Sequence, residues 1–68
     1  MIDQEGKEYL ELNAYIKKIN LATTGGQAKN LIRSGEIKLN GIIETRNRKK
    51  LYPNDIIEYK EKIYIVKF

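Results

Sequence analysis

The hydrophobic period of this chain changes at Gly35, and that change restricts the fold more than any other feature. Before it, apolar residues recur at helical spacing. Leu12, Tyr15, Ile16 and Ile19 fall at i, i+3, i+4 and i+7, and Ala28, Leu31 and Ile32 share one face of a second segment. After it, Glu36-Ile37-Lys38-Leu39 alternates with period two and runs into Asn40-Gly41, a dipeptide that predicts a type I′ hairpin turn. Two short helices packed on a small, mostly antiparallel sheet make an α+β domain.

The boundaries follow from local chemistry. Tyr9-Leu10 predicts a short strand ahead of the first helix, and Asn20-Leu21 ends that helix. Thr23 and Thr24 are N-cap candidates for the second helix, which is predicted over residues 25–34, with Gly35 as the residue of positive φ beyond its end. Ile42-Ile43-Glu44 is the return strand of the first hairpin. Ile37, Leu39 and Ile42 are assigned to its inner face, and Ile43 points the other way, which implies a bulge or an early end. Residues 46–50 read as a basic loop, Pro53-Asn54-Asp55 as a turn, and residues 56–59 and 63–68 as a closing hairpin around Lys60-Glu61-Lys62. Residues 1–8 are expected to be a loose N-terminal segment, and residues 9–68 a single domain.

With 68 residues the core is small. The chain has neither cysteine nor histidine. Disulfides, thiolate chemistry, Cys/His metal sites and Ser-His-Asp catalysis are therefore absent together. The lone Ser34 has no base to activate it, and Asp3 and Asp55 form no evident carboxylate pair. The expectation is a non-enzyme with no cofactor and no metal. No apolar stretch reaches the length of a membrane helix and no basic-then-apolar leader is present, so the expected setting is cytoplasmic, without a membrane partner, and the expected state monomeric.

The net charge of +4 is unevenly placed. Residues 29–50 carry Lys29, Arg33, Lys38, Arg46, Arg48, Lys49 and Lys50 against Glu36 and Glu44, a local excess of five positive charges. A concentrated excess of this kind is what a polyanion reads. Lys29 and Arg33 stand at i, i+4 on the second helix, with Gly26 one turn earlier on the same side. A glycine there leaves backbone N–H groups bare near a positive helix end. Lys38 projects from the following strand. Arg46, Arg48, Lys49 and Lys50 crowd into five residues, although like charges repel. Among the five tyrosines, Tyr52 lies beside this basic run and is placed to stack on a base. No Gly-x-x-x-x-Gly-Lys-Ser/Thr phosphate loop is present.

Leu12-x-x-x-Ile16-Lys17, Leu21-Ala22, Ala28-Lys29-x-Leu31-Ile32-x-x-Gly35-x-Ile37-x-Leu39-Asn40-Gly41 and Leu51-x-x-Asn54-Asp55-x-Ile57 together resemble the S4-type RNA-binding domain over roughly residues 9–59. The Thr24-Gly25-Gly26-Gln27-Ala28-Lys29 start and the Glu44-Thr45-Arg46-x-Arg48-x-Lys50-Leu51 segment are most similar to its stand-alone bacterial YaaA or YbcJ-like subfamily. The resemblance implies an αL motif that binds structured RNA, with ribosomal RNA or an assembling ribosomal subunit as the expected target, through a basic face. On this chain the corresponding residues are Gly26, Lys29, Arg33, Lys38, Arg46, Arg48, Lys49 and Lys50. Two positions depart from the pattern: most such domains carry Ser-Arg where Gly25-Gly26 stands, and Gly-Asp where Asn54-Asp55 stands.

Two other readings compete. A basic face also fits an acidic protein, which makes a small protein–protein adaptor the alternative. The Leu-Asn-Gly hairpin further resembles ubiquitin-like sulfur carriers. Those need a free C-terminal Gly-Gly, and the sequence closes on Val66-Lys67-Phe68, so the carrier is the remote reading.

Overall fold

The computed structural model describes residues 1–68. In chain order it contains β1 (Leu10–Glu11), α1 (Leu12–Lys18), α2 (Gly25–Arg33), β2 (Lys38–Leu39), β3 (Ile42–Ile43), β4 (Lys50–Leu51), β5 (Ile56–Tyr59) and β6 (Lys62–Ile65). Two antiparallel sheets result: a two-stranded β1–β4 pair and a four-stranded sheet of order β3-β2-β5-β6.

The two predicted stripes become the core. Leu12, Tyr15 and Ile16 from α1 and Ala28 and Ile32 from α2 pack with Ile37, Leu39, Leu51, Ile57 and Val66. Helix α2 starts where its cap chemistry places it. The Thr24 hydroxyl accepts the Gln27 N–H at 3.1 Å, and the Gln27 amide oxygen reaches back to the Thr23 N–H at 2.9 Å. This is a capping box displaced by one residue. The helix ends at Gly35, whose φ of +82° lies in the left-handed region that glycine enters freely.

Asn40 and Gly41 take φ values of 51° and 85°, as a type I′ turn requires. Asn40 also locks this hairpin to β5. Its backbone N–H donates to the Ile56 carbonyl at 2.7 Å, its Oδ1 accepts the Ile56 N–H at 2.9 Å, and its Nδ2 donates to Asp55 Oδ1 at 3.2 Å. The Asp55 carboxylate in turn accepts the Tyr52 N–H at 2.8 Å, and Asn54 holds a φ of 76°. One side chain thus joins two predicted turns.

Three expectations are corrected. Residues 1–8 are not a loose end. Ile2 bridges Glu8, the Tyr9 N–H donates to the Met1 carbonyl at 2.8 Å, and the Asp3 carboxylate accepts the Glu5 and Lys7 N–H groups at 2.9 Å each. Aspartate-to-backbone bonds and Gly6 at φ +80° make this a built turn. Ile42 does not join the inner face. It pairs with buried Leu39, yet β3 is the sheet edge and nothing covers Ile42 there. The run 46–50 is only in part a loop, because Lys50 and Leu51 form β4 against β1.

Candidate nucleic-acid interface

The basic segment is held in place by the first helix. Helix α1 begins directly after β1, and its N-cap, Glu11, makes no side-chain cap bond. The N–H groups of its first turn would otherwise lack partners. Leu12 donates to the Lys49 carbonyl at 2.8 Å, Asn13 donates to the Asn47 carbonyl at 3.0 Å, and Ala14 donates to Asn13 Oδ1 at 2.8 Å. The basic run therefore caps α1 with its own backbone, while Arg46, Arg48 and Lys50 remain exposed and the Asn47 side-chain oxygen turns inward.

Carboxylates beneath the two arginines orient them. Arg46 donates through Nε to Glu44 Oε2 at 2.9 Å and through Nη2 to Oε1 at 3.1 Å, and its backbone N–H also donates to Oε2 at 3.0 Å. The side chain of Glu44 is 11% exposed, whereas that of Arg46 is 70% exposed. The hydrogen bond from Arg46 holds the Glu44 carboxyl below its ordinary range and raises the guanidinium in return. Arg48 repeats the arrangement with a residue 37 positions away, donating through Nε to Glu11 Oε2 at 3.0 Å. Its side chain is 74% exposed above a largely covered carboxylate. Lys50 lies over the Tyr9 ring at 5.1 Å, a cation–π distance.

Arg46, Arg48, Lys49, Lys50 and Tyr52 line one open recess of about 410 Å³. The Tyr52 ring meets the Tyr9 ring at a tilt, with 6.3 Å between centroids. Its hydroxyl donates to Asp3 Oδ2 at 2.7 Å, a bond that pushes its pKa up to about 12. On the far side of Tyr52 lies a recess of about 650 Å³ lined by Asp3, Glu5, Lys7, Glu8 and Pro53. An acidic wall repels phosphate, so the basic surface has a defined border.

Gly26, Lys29 and Arg33 lie at i, i+3, i+7 along the exposed side of α2, and none of them lines the basic recess. A Cβ built on Gly26 meets nothing within 4 Å, so the backbone there is open to solvent. Lys38 falls elsewhere. It sits between buried Ile37 and buried Leu39 and therefore projects from the sheet face opposite the helices. Sequence reasoning missed Glu44, Glu11 and Asp3 as the residues that orient the surface. The i, i+2 spacing of Glu44 and Arg46 in an extended segment was a usable sign of same-face pairing. The other two contacts are long-range and have no local signature.

No group of His, Cys, Asp and Glu side chains is arranged to hold a metal ion, and no helix is long and apolar enough to cross a membrane. No curated protein matches the chain at a significant level of similarity. A family model described as the S4 domain matches residues 2–67, nearly the whole chain, including the N-terminal turn. With two helices on small antiparallel sheets and a basic segment clamped to the first of them, this chain belongs to the S4 domain family.

Proposed function

We propose that this protein is a non-catalytic binder of structured RNA, and that its target is ribosomal RNA or an assembling ribosomal subunit. S4 domains are RNA-binding as a family. The observation that carries the reading is the layering of charge in the basic segment. Two largely covered carboxylates lie under two guanidiniums that remain about 70% exposed or more, beside Lys49 and Lys50. An arginine bound through one edge still offers its remaining N–H donors to a phosphate in a fixed direction. Preorganised donors of this kind suit a folded RNA, whose phosphates are themselves held in place.

In this reading Arg46, Arg48, Lys49 and Lys50 form the principal phosphate surface, and Gly26, Lys29 and Arg33 extend it along α2. Tyr52 supplies the aromatic wall against which an exposed base stacks. The test is cross-linking in cells, followed by sequencing of the bound RNA and mass spectrometry of bound proteins. Enrichment of ribosomal RNA segments above their cellular abundance is the expected result. Cross-links confined to an acidic protein would replace RNA binding with the adaptor reading.

A further inference from the structure

The outer face of the four-stranded sheet is apolar and uncovered. Alternation along the strands places Ile43, Ile56, Ile63 and Ile65 on the side away from the helices, and they are 57%, 41%, 66% and 50% exposed. The largest apolar patch on a typical monomer is itself often functional, and four half-exposed isoleucines on one small sheet make such a patch.

The pattern of the face selects its occupant. The register Ile43↔Lys38, Lys38↔Glu58 and Glu58↔Ile63 sets four residues in one row across β3-β2-β5-β6. The row reads apolar, cation, anion, apolar. Lys38 and Glu58 are directly opposed across β2 and β5, yet neither forms an ion pair within the chain. A two-fold axis in the plane of the face, running along the strands between β2 and β5, maps this row onto itself with the charges exchanged. Lys38 of one copy then lies over Glu58 of the other, and Ile43 lies over Ile63, at both ends of the row. The neighbouring row along the strands sets Ile56 and Ile65 beside Asn40, so Ile56 lies over Asn40 of the second copy and this row adds apolar contact only in part. Aligned face-to-face packing of two sheets has this geometry, and self-complementarity is the condition for an isologous dimer.

We infer that this face binds a second copy of the chain, with Lys38 and Glu58 pairing reciprocally across the two-fold axis. A patch one short sheet in extent is at the small end of specific interfaces, so the dimer is weak and forms at high local concentration. Self-association of this face is independent of whether the basic recess binds RNA.

The test is sedimentation equilibrium of nuclease-treated protein over a wide concentration range. The expected mass rises from 7.9 kDa toward twice that value. Lys38→Glu alone and Glu58→Lys alone should each weaken association by about tenfold or more, because each sets like charges against each other at both ends of the pair. The double variant Lys38→Glu/Glu58→Lys should restore it to within about threefold of the parent, because the exchanged row is again self-complementary. Circular dichroism of each variant reports that the monomer stays folded. A mass of 7.9 kDa at every concentration, single reversals without effect, or a double variant as weak as the singles would each overturn the inference.

Discussion

The Tyr52 hydroxyl donates to the Asp3 carboxylate at 2.7 Å, and this bond fastens the N-terminal turn to the wall of the basic recess. It shifts both partners. Tyr52 rises from 10.0 to about 12, chiefly through the hydrogen bond to Asp3, and Asp3 falls below 3.8 for the same reason. The folded state thus holds the Tyr52 proton more tightly than the unfolded chain does. That contribution to stability is complete below pH 10 and is lost as pH rises towards about 12. The Asp3 contribution is complete above pH 3.8 and is lost as pH falls through the lowered folded value. Asp3→Asn should therefore shrink the loss of melting temperature at both extremes and bring the Tyr52 ionisation back towards 10. Ultraviolet titration of the parent, Asp3→Asn and Tyr52→Phe proteins reads the second effect directly. A Tyr52 pKa unmoved by Asp3→Asn would show that the bond does not form in solution.

Binding of RNA should weaken with salt at a slope set by the four cations of the recess. Four phosphate contacts give a log–log slope of roughly −3 to −4, at about 0.7–0.9 per contact. If only Lys49 and Lys50 engage phosphates, because Glu44 and Glu11 retain the arginines, the slope is about half of that. Titrations at several salt concentrations distinguish these cases, and a flat dependence would remove the electrostatic surface altogether.

Position, rather than net charge, should decide affinity. Lys49→Glu/Lys50→Glu and Lys60→Glu/Lys62→Glu change the net charge equally. The first pair lies in the basic recess and the second in the β5–β6 hairpin. The first is expected to lower RNA affinity by about tenfold or more, the second by about twofold or less, since the distant pair affects only the long-range field. Equal losses would mean that the recess has no special role.

Much of the fold was legible in the sequence because its signals are local. The stripe from Leu12 to Ile19 and the Gly35 stop gave both helices, and Asn40-Gly41 gave the first hairpin. Most of what escaped depended on partners distant in sequence, and Glu44 beneath Arg46 is the local exception. Lys50 read as the end of a loop because only β1, some 40 residues earlier, makes Lys50-Leu51 a strand. Ile42 read as inner because alternation reports the side of a strand and says nothing about where the covering layer stops. Lys38 was grouped with the α2 cations by proximity in sequence, although burial of both its neighbours turns it to the opposite face. The basic residues themselves were evident from composition. The largely covered Glu11 carboxylate that aims Arg48 was not, because the two meet only in the folded chain.

Gly26 separates stability from function. It lies within α2 at ordinary helical φ, and an added Cβ meets nothing. Gly26→Ala should therefore stabilise the fold by about 0.5–1 kcal/mol, through reduced backbone freedom of the unfolded chain. If RNA approaches the bare backbone at this helix start, the same methyl should lower affinity while the melting temperature rises. Opposite signs in the two measurements are the expected outcome. Higher stability with unchanged affinity would make Gly26 a solvated helix position.

The two hairpins make the same turn from unequal residues. Asn40-Gly41 joins β2 to β3 at φ 51° and 85°, and Lys60-Glu61 joins β5 to β6 at φ 48° and 67°. Positive φ suits Asn and Gly, but an ordinary side chain there costs roughly 1–2 kcal/mol. Glu61 accepts that strain because the β5–β6 ladder over-determines the turn, with four paired positions against two in the first hairpin. Glu61→Gly should relieve part of the strain. Glycine's greater freedom in the unfolded chain offsets some of the gain, leaving a net stabilisation of about 0.5–1 kcal/mol. For a domain this size that raises the melting temperature by several degrees. Gly41→Val should do the reverse, losing about 1–3 kcal/mol, because a β-branched residue would be forced to positive φ. It should also reduce RNA affinity without removing a charge, since the same hairpin leads through Glu44 into Arg46. Thermal melts of both variants decide the matter. A Glu61→Gly protein no more stable than its parent would mean that the second turn is relaxed in solution and does not hold its type I′ form.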